Sequence, residues 1–365
     1  MRVLQIIPTL VRGGAEKQLT ELAIGLPRDE FDVHVAVLTH TGPYEETLRA
    51  HDVPVTIIGK SLKVDPFAYL RLKAHIKQLQ PDLVHTWIFA ANSYGRQAAF
   101  SAGVKHVLAG ERCVDRWKVW HEFAIDRRLA KRTERIVTNS SGVRDFYAEN
   151  GIPAEKFTII PNGIRPIETT GDLTRQHLLD ELELPADAKL IGSVGRLWPQ
   201  KRTKDLIWAA ELLKAARDDT HLLLIGDGPQ REALLRFRNE VQIADRVHFL
   251  GEREDVHELL PLLDCFWLAS GYEGQSNAIM EAMSVGVPVV TSDIPGNRDL
   301  VVPEQTGYLV PVGDSAEMAR KTQLIIDDPD RSARFSEAAR ARMRDEFSIE
   351  KMVERHAKLY REIVG

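Results

Sequence analysis

Cysteine is nearly absent: Cys113 and Cys265 are the only two in 365 residues, one in each half of the chain. Neither a disulfide framework nor a cysteine-rich zinc site can be assembled from them, so a reducing cytosol is the expected setting. Long apolar runs are missing too. No stretch approaches the roughly 20 residues that a membrane-spanning helix needs, and Met1–Leu10, with one basic residue and Pro8, reads as a first strand rather than a signal peptide. An excess of positive charge is also lacking. The net charge is −5, which gives no reason to expect a nucleic-acid partner. What is present is the mixture of an ordinary soluble protein, 44% apolar and 28% charged, in a chain longer than one core usually supports. Two domains are expected.

Short runs of Val, Ile and Leu recur, separated by stretches of helical periodicity, the pattern of parallel strands joined by crossover helices. In the first half these runs are 3–7, 33–38, 83–85, 106–108, 136–138 and 158–160. The second half restarts with 190–194, 221–225, 247–250, 265–268, 287–291 and 308–310. The polar segment 166–172 is the best linker, which predicts domains over 1–168 and 173–345, with a last helix over 346–365 that packs back on the first domain. The expected fold class is α/β: two doubly wound, Rossmann-like domains with a cleft between them, where ligands of such sheets usually sit.

Three loops at predicted strand ends carry chemistry. GRLWPQK, from Gly195 to Lys201, follows the strand 190–194 and precedes a helix that Thr203 could cap, so Arg196 and Lys201 sit where cations and a helix N-terminus can meet a diphosphate. EGQSNAIME, from Glu273 to Glu281, places Glu273 before a helix that Ser276 caps and Glu281 inside it, with Gly286 and Pro288 as the stop. The amides of Gly274, Gln275, Ser276 and Asn277 can face an anion or a sugar hydroxyl. Gly13 and Gly14 open the first helix and permit close approach to a ligand. The only Asp-x-Asp spacing, Asp328 to Asp330, reads as a turn.

These residues, together with HTWIFAANSYGRQAA from His85, VTNSSGVRDFY from Val137, IIPNGI from Ile159 and LLIGDGP from Leu223, resemble the retaining glycosyltransferases of family four, also called group 1, with the GT-B fold. The resemblance runs in order along nearly the whole chain. It implies that Arg196 and Lys201 hold the donor diphosphate and that Glu273 receives hydrogen bonds from the donor sugar. It implies also that Gly274 to Asn277 present amides, Glu281 binds the ribose, Gly14 lets its loop close over the diphosphate and Arg253 lies near the base. No cofactor and no divalent metal are expected. The expected reaction moves a hexose or N-acetylhexosamine from a nucleotide-diphosphate sugar, a UDP-sugar first and GDP-mannose second, to a glycan or lipid-linked acceptor in surface polysaccharide or glycolipid assembly.

The sequence departs from that family in two places. Arg202 stands where many relatives have glycine, and the stretch from Ala109 to Cys113 lacks a histidine found in some of them, so Glu111 and Arg112 become acceptor-side candidates in its stead. His85 and Trp87, ending a strand, are acceptor-side candidates as well, with a buried core role as the alternative for His85. Between Arg112 and Arg135 there are eight Arg or Lys against four Asp or Glu, interleaved with Trp117, Trp120 and Phe123. Such a segment can lie on an anionic bilayer, which predicts a cytoplasmic enzyme peripheral to the inner face of the cell membrane. A solvated helix with inward tryptophans is the alternative. Three rival functions are a glycoside hydrolase, which has no use for a diphosphate clamp, a sugar-nucleotide 2-epimerase, and a non-catalytic nucleotide-sugar-binding protein.

Overall fold

The structure is a computed structural model and describes residues 1–365. It divides into two units, one of residues 1–163 with 347–365 and one of residues 164–346.

The N-terminal unit is built on seven strands: β1 (Arg2–Thr9), β2 (Asp32–His40), β3 (Val55–Ile57), β4 (Leu83–Trp87), β5 (His106–Glu111), β6 (Arg135–Thr138) and β7 (Phe157–Ile159). They pair in parallel in the order β3-β2-β1-β4-β5-β6-β7. The order reverses between β1 and β4, so the carboxyl ends of those two strands flank the position at which such sheets take ligands. One face carries the core of Val3, Ile7, Leu19, Leu22 and Leu26, to which the last helix, Ile349–Val364, adds Met352, Val353 and Tyr360. That helix exists because its apolar residues recur every three to four positions and Ser348 caps its first turn, accepting from Lys351 N.

The second unit repeats the plan with six strands: β8 (Lys189–Val194), β9 (Thr220–Ile225), β10 (Val247–Gly251), β11 (Cys265–Leu268), β12 (Val289–Ser292) and β13 (Gly307–Val310). Their order is β10-β9-β8-β11-β12-β13, again all parallel, and the reversal falls between β8 and β11. The predicted linker is not loose along its length. Thr170 N and Gly171 N donate to the Glu258 carboxylate at 2.5 and 3.2 Å, which ties this segment to the second unit.

Candidate active site

In the second unit the two strands at the reversal supply the two predicted loops. Residues 195–201 leave the carboxyl end of β8 and end in the short 3-10 turn Pro199–Lys201. Residues 269–276 leave β11 and enter the helix Asn277–Ser284, whose N-cap Ser276 accepts from Ile279 N. The hydrogen bond between them, Gly271 N to Gln200 O at 2.9 Å, holds the loops side by side.

Lys201 and Glu273, separated by 72 residues, meet there, with Nζ 2.6 Å from Oε1. Glu273 is held from two further directions: Ser270 Oγ donates to Oε1 at 2.7 Å and Gln200 Nε2 donates to Oε2 at 3.2 Å. Three donors fix the carboxylate before any ligand arrives, while Lys201 keeps about a fifth of its side chain exposed. Arg196 lies exposed on the same loop, and a small pocket is lined by Gly195, Arg196, Leu197, Lys201 and Thr203. Gly274, Gln275 and Ser276 are buried, Asn277 begins the helix, and Glu281 sits half-buried one turn inside it. The arrangement can hold an anion with two cations and a helix N-terminus while a fixed carboxylate accepts hydroxyl hydrogens.

One local expectation needs correction. Thr203 does not cap the helix Thr203–Lys214; it is the first helical residue and is buried, and the preceding Arg202 takes the left-handed conformation at φ 51°. That conformation suits the glycine that the family resemblance would place here. Here Arg202 Nε instead donates to Asp205 Oδ2 at 2.6 Å. Arg253 is held by two carboxylates of its own unit, Asp255 at 2.7 Å and Glu181 at 2.6 Å.

In the N-terminal unit Gly14 opens the helix Gly14–Gly25 directly after β1, with Gly13 as its extended N-cap. The acceptor-side candidates fare differently. Trp87 is fully buried, and its Nε1 donates to Gln5 Oε1 at 2.6 Å; it is a core residue, because β4 is central and the last helix covers its face. Glu111 is also buried, accepting from Asn92 Nδ2 at 2.8 Å and Tyr147 Oη at 3.0 Å, and burial pushes its pKa up to about 7 against the pull of Lys118. His85 is buried as well, with Nδ1 2.7 Å from Tyr360 Oη and Nε2 without a partner. Arg112 is buried beside Trp87, its guanidinium carbon 5.0 Å from the ring centre.

The basic segment changes character in three dimensions. Lys118, counted among its charges, is enclosed by Asp126, Asp115 and Glu111. Phe123 packs inward, whereas Trp117 and Trp120 stand out, Trp120 at 78% exposure. A second exposed apolar strip was not foreseen: Leu62, Val64, Phe67 and Leu70, with Val64 at 77% and Phe67 at 70%. Its signal in the sequence was a run, Lys60 to Lys77, with five Lys or Arg and Asp65 as its single acid. Ile88 was missed too. It opens the helix after β4 with φ 55°, a strained value for a β-branched residue.

The family described as Glycosyl transferases group 1 matches residues 174–342, and Glycosyltransferase Family 4 matches residues 12–167. The chain belongs to the group 1 glycosyltransferases of GT-B type. It is 28% identical to the UDP-Gal:alpha-D-GlcNAc-diphosphoundecaprenol alpha-1,3-galactosyltransferase of Escherichia coli, over 99% of this chain and 96% of that one. It is also 28% identical to the lipopolysaccharide core biosynthesis glycosyltransferase LpsE of Rhizobium meliloti, over 63% of this chain and 64% of the relative. Among solved structures, Anabaena HepE in complex with UDP superposes with a TM-score of 0.87 at 23% identity, covering 99% and 100% of the two chains. At that identity the likeness establishes fold alone.

Proposed function

We propose that the protein is a retaining, metal-independent glycosyltransferase that passes a hexose or N-acetylhexosamine from a UDP-sugar to a lipid-linked or glycan acceptor in glycolipid or surface-polysaccharide assembly. The observation that carries this reading is the Lys201 to Glu273 contact at the carboxyl ends of β8 and β11, with Arg196 on the same loop. Arg196 and Lys201 would neutralise the charge that grows on the diphosphate as the sugar–oxygen bond breaks, which is the work a divalent ion does elsewhere. Glu273, already oriented by Ser270 and Gln200, would accept hydrogen bonds from the sugar, and Glu281 would bind the ribose. The choice of UDP over GDP-mannose is supported by the donor named for the Escherichia coli relative and by the UDP bound in Anabaena HepE. The acceptor class is supported by the diphosphoundecaprenol acceptor of the same relative.

Such an acceptor would bring the enzyme to a bilayer. No helix is long and apolar enough to cross one. The exposed Trp117, Val119 and Trp120 and the strip from Leu62 to Leu70 offer an interfacial surface on the N-terminal unit, and the lysines and arginines between 60 and 77 suit anionic lipid on a cytoplasmic leaflet. Both patches are anchored to one helix, Ile88–Ala102: Tyr94 Oη accepts from Asp65 N at 2.7 Å, and Phe89 packs edge-on against Trp117. Flotation with anionic vesicles should carry the protein, and Phe67→Ser with Trp120→Ser should leave it behind; equal binding to neutral vesicles would refute an electrostatic role.

The deciding experiment is isothermal titration with UDP, GDP, ADP and their sugar conjugates in EDTA, repeated with Glu281→Ala. Selective UDP binding, weakened by the substitution, is expected. Absence of binding to any nucleotide would end the transferase reading.

A further inference from the structure

The N-terminal unit matches its other buried cations with carboxylates. Arg96 Nη2 donates to Asp126 Oδ1 at 2.7 Å, and Lys118 Nζ lies 2.9 Å from Asp126, 3.4 Å from Asp115 and 3.7 Å from Glu111. Arg112 breaks the pattern. It is only 7% exposed, its Nη2 donates to the uncharged amide oxygen of Asn162, and its Nε and Nη1 have no hydrogen-bond partner. The adjacent Glu111 cannot serve it, since successive residues at a strand end point to opposite faces and Glu111 is turned to Asn92 and Tyr147. An uncompensated buried guanidinium is destabilising, and proteins seldom retain one without a use for it.

A second unmatched donor lies nearby, and a chain of hydrogen bonds identifies it. Trp87 Nε1 can only donate, and it does so to Gln5 Oε1 at 2.6 Å, which turns the Gln5 amide nitrogen to Tyr360 Oη at 3.0 Å. The Tyr360 hydroxyl hydrogen is then directed to His85 Nδ1 at 2.7 Å. Burial keeps the His85 ring neutral by pushing its pKa well down. Its one proton is therefore on Nε2, which is buried and unpartnered. The Trp87 ring centre lies 4.9 Å from the His85 ring and 5.0 Å from the Arg112 guanidinium, so both donors border one indole. Gly110 lets β5 lie close against these groups, since a Cβ there would sit 3.4 Å from His85 Nε2 and 3.2 Å from Thr86 O. Two unmatched acceptors, His356 Nε2 and Asn139 Oδ1, complete the set and suit hydroxyl hydrogens.

We propose that Arg112 and His85 form an oxyanion site at the carboxyl ends of β4 and β5 that takes a phosphate carried by the acceptor. The proposal rests on the transferase reading and specifies its acceptor chemistry: a phosphate- or diphosphate-bearing sugar whose anion completes a cation left without a partner by the fold. A carbohydrate acceptor without phosphate would leave Arg112 unmatched.

Inorganic pyrophosphate is the probe, followed by titration and thermal unfolding of the full chain. The Arg196→Ala/Lys201→Ala double variant removes the donor cations, so pyrophosphate retained by it reports on Arg112. In that background Arg112→Met, which preserves the packing on Trp87, should weaken pyrophosphate by about tenfold or more. Without anion, Arg112→Met in the otherwise unaltered chain should unfold about 2 °C or more higher, because an unpaired charge has been removed. Its UDP affinity should be unchanged. Arg112→Lys keeps a charge but loses the planar donors, and should also lose pyrophosphate in the double-variant background. A lower unfolding temperature or failure to fold for Arg112→Met would make Arg112 a structural cation and overturn the site. Disappearance of pyrophosphate binding in the double variant alone would do the same while leaving the transferase reading intact. Failure of the unaltered chain to bind UDP would instead remove the transferase reading.

Discussion

Lys201 Nζ lies 2.6 Å from Glu273 Oε1, a contact between the loop that ends β8 and the loop that ends β11. Each group is partly buried, so neither is fully hydrated, and each is held by its own loop rather than by chance encounter on a surface. Lys201→Ala and Glu273→Ala should each lower turnover by roughly 100- to 1,000-fold, the scale set by loss of one preorganised charge-stabilising group. Because the two side chains orient one another, the double variant should lose much less than the product of the single losses. Steady-state rates of the four proteins check this; losses that simply multiply would show that the contact has no part in turnover.

Arg196 reaches the same pocket from the opposite end of its loop. Arg196→Ala should cost a similar 100- to 1,000-fold in turnover, and Arg196→Lys should recover only part of it, because a lysine offers a point charge in place of a planar fork. Turnover in EDTA should be undiminished in the unaltered enzyme. A requirement for magnesium or manganese, restored on addition, would mean that these cations do not suffice for the leaving group.

Most strands were legible because parallel strands buried on both faces read as continuous apolar runs, and their order along the chain fixed the two repeats. β3 escaped since it has three residues behind Pro54. The loops 195–201 and 273–281 were legible because their chemistry is local to the loop. The N-terminal candidates were not, because what covers a strand end comes from far away: Tyr360, which meets His85, is 275 residues distant. Lys118 offered a signal that composition hides. Its partners Asp115 and Asp126 stand three and eight positions away, so the basic count of that segment overstated its free charge.

Glu111 titrates from inside the unit. Burial raises its pKa from the ordinary 4.5 to about 7, so the folded protein binds a proton that the unfolded chain has released between those values. Stability from this group is fully present below pH 4.5 and is lost as pH rises through about 7. Buried histidines tilt the other way: His356, held down to about 3, contributes stability that is lost as pH falls from 6.5 toward that value. The Glu111 effect is therefore read as a difference. The unfolding temperature of the unaltered protein minus that of Glu111→Gln should fall steadily across the window from 4.5 to 7. A flat difference would show that Glu111 is ionised throughout.

The last helix is part of the N-terminal core. Tyr360→Phe removes the hydroxyl that links Gln5 to His85 and leaves both without their partner, at a cost of about 1–3 kcal/mol. Denaturant unfolding should show a lower midpoint at unchanged slope.

Gly296 gives the sharpest steric test. A Cβ there would lie 1.7 Å from Gly274 O and 3.4 Å from Glu273 O, both backbone atoms that no rotamer change can move aside. The helix Pro295–Arg298 is therefore packed against the loop that carries Glu273, and Asn297 Nδ2 pins it by donating to Ser292 O at 2.9 Å. Gly296→Ala should push that loop out of place. Glu273 would then lose its alignment with Lys201, and the amides at Gln275 and Ser276 would shift with it. Turnover should fall by about 100-fold, in line with the sensitivity of positioned groups to displacements near 1 Å. UDP binding should weaken in parallel. Full activity in Gly296→Ala would mean that the loop's position is not what sets catalysis.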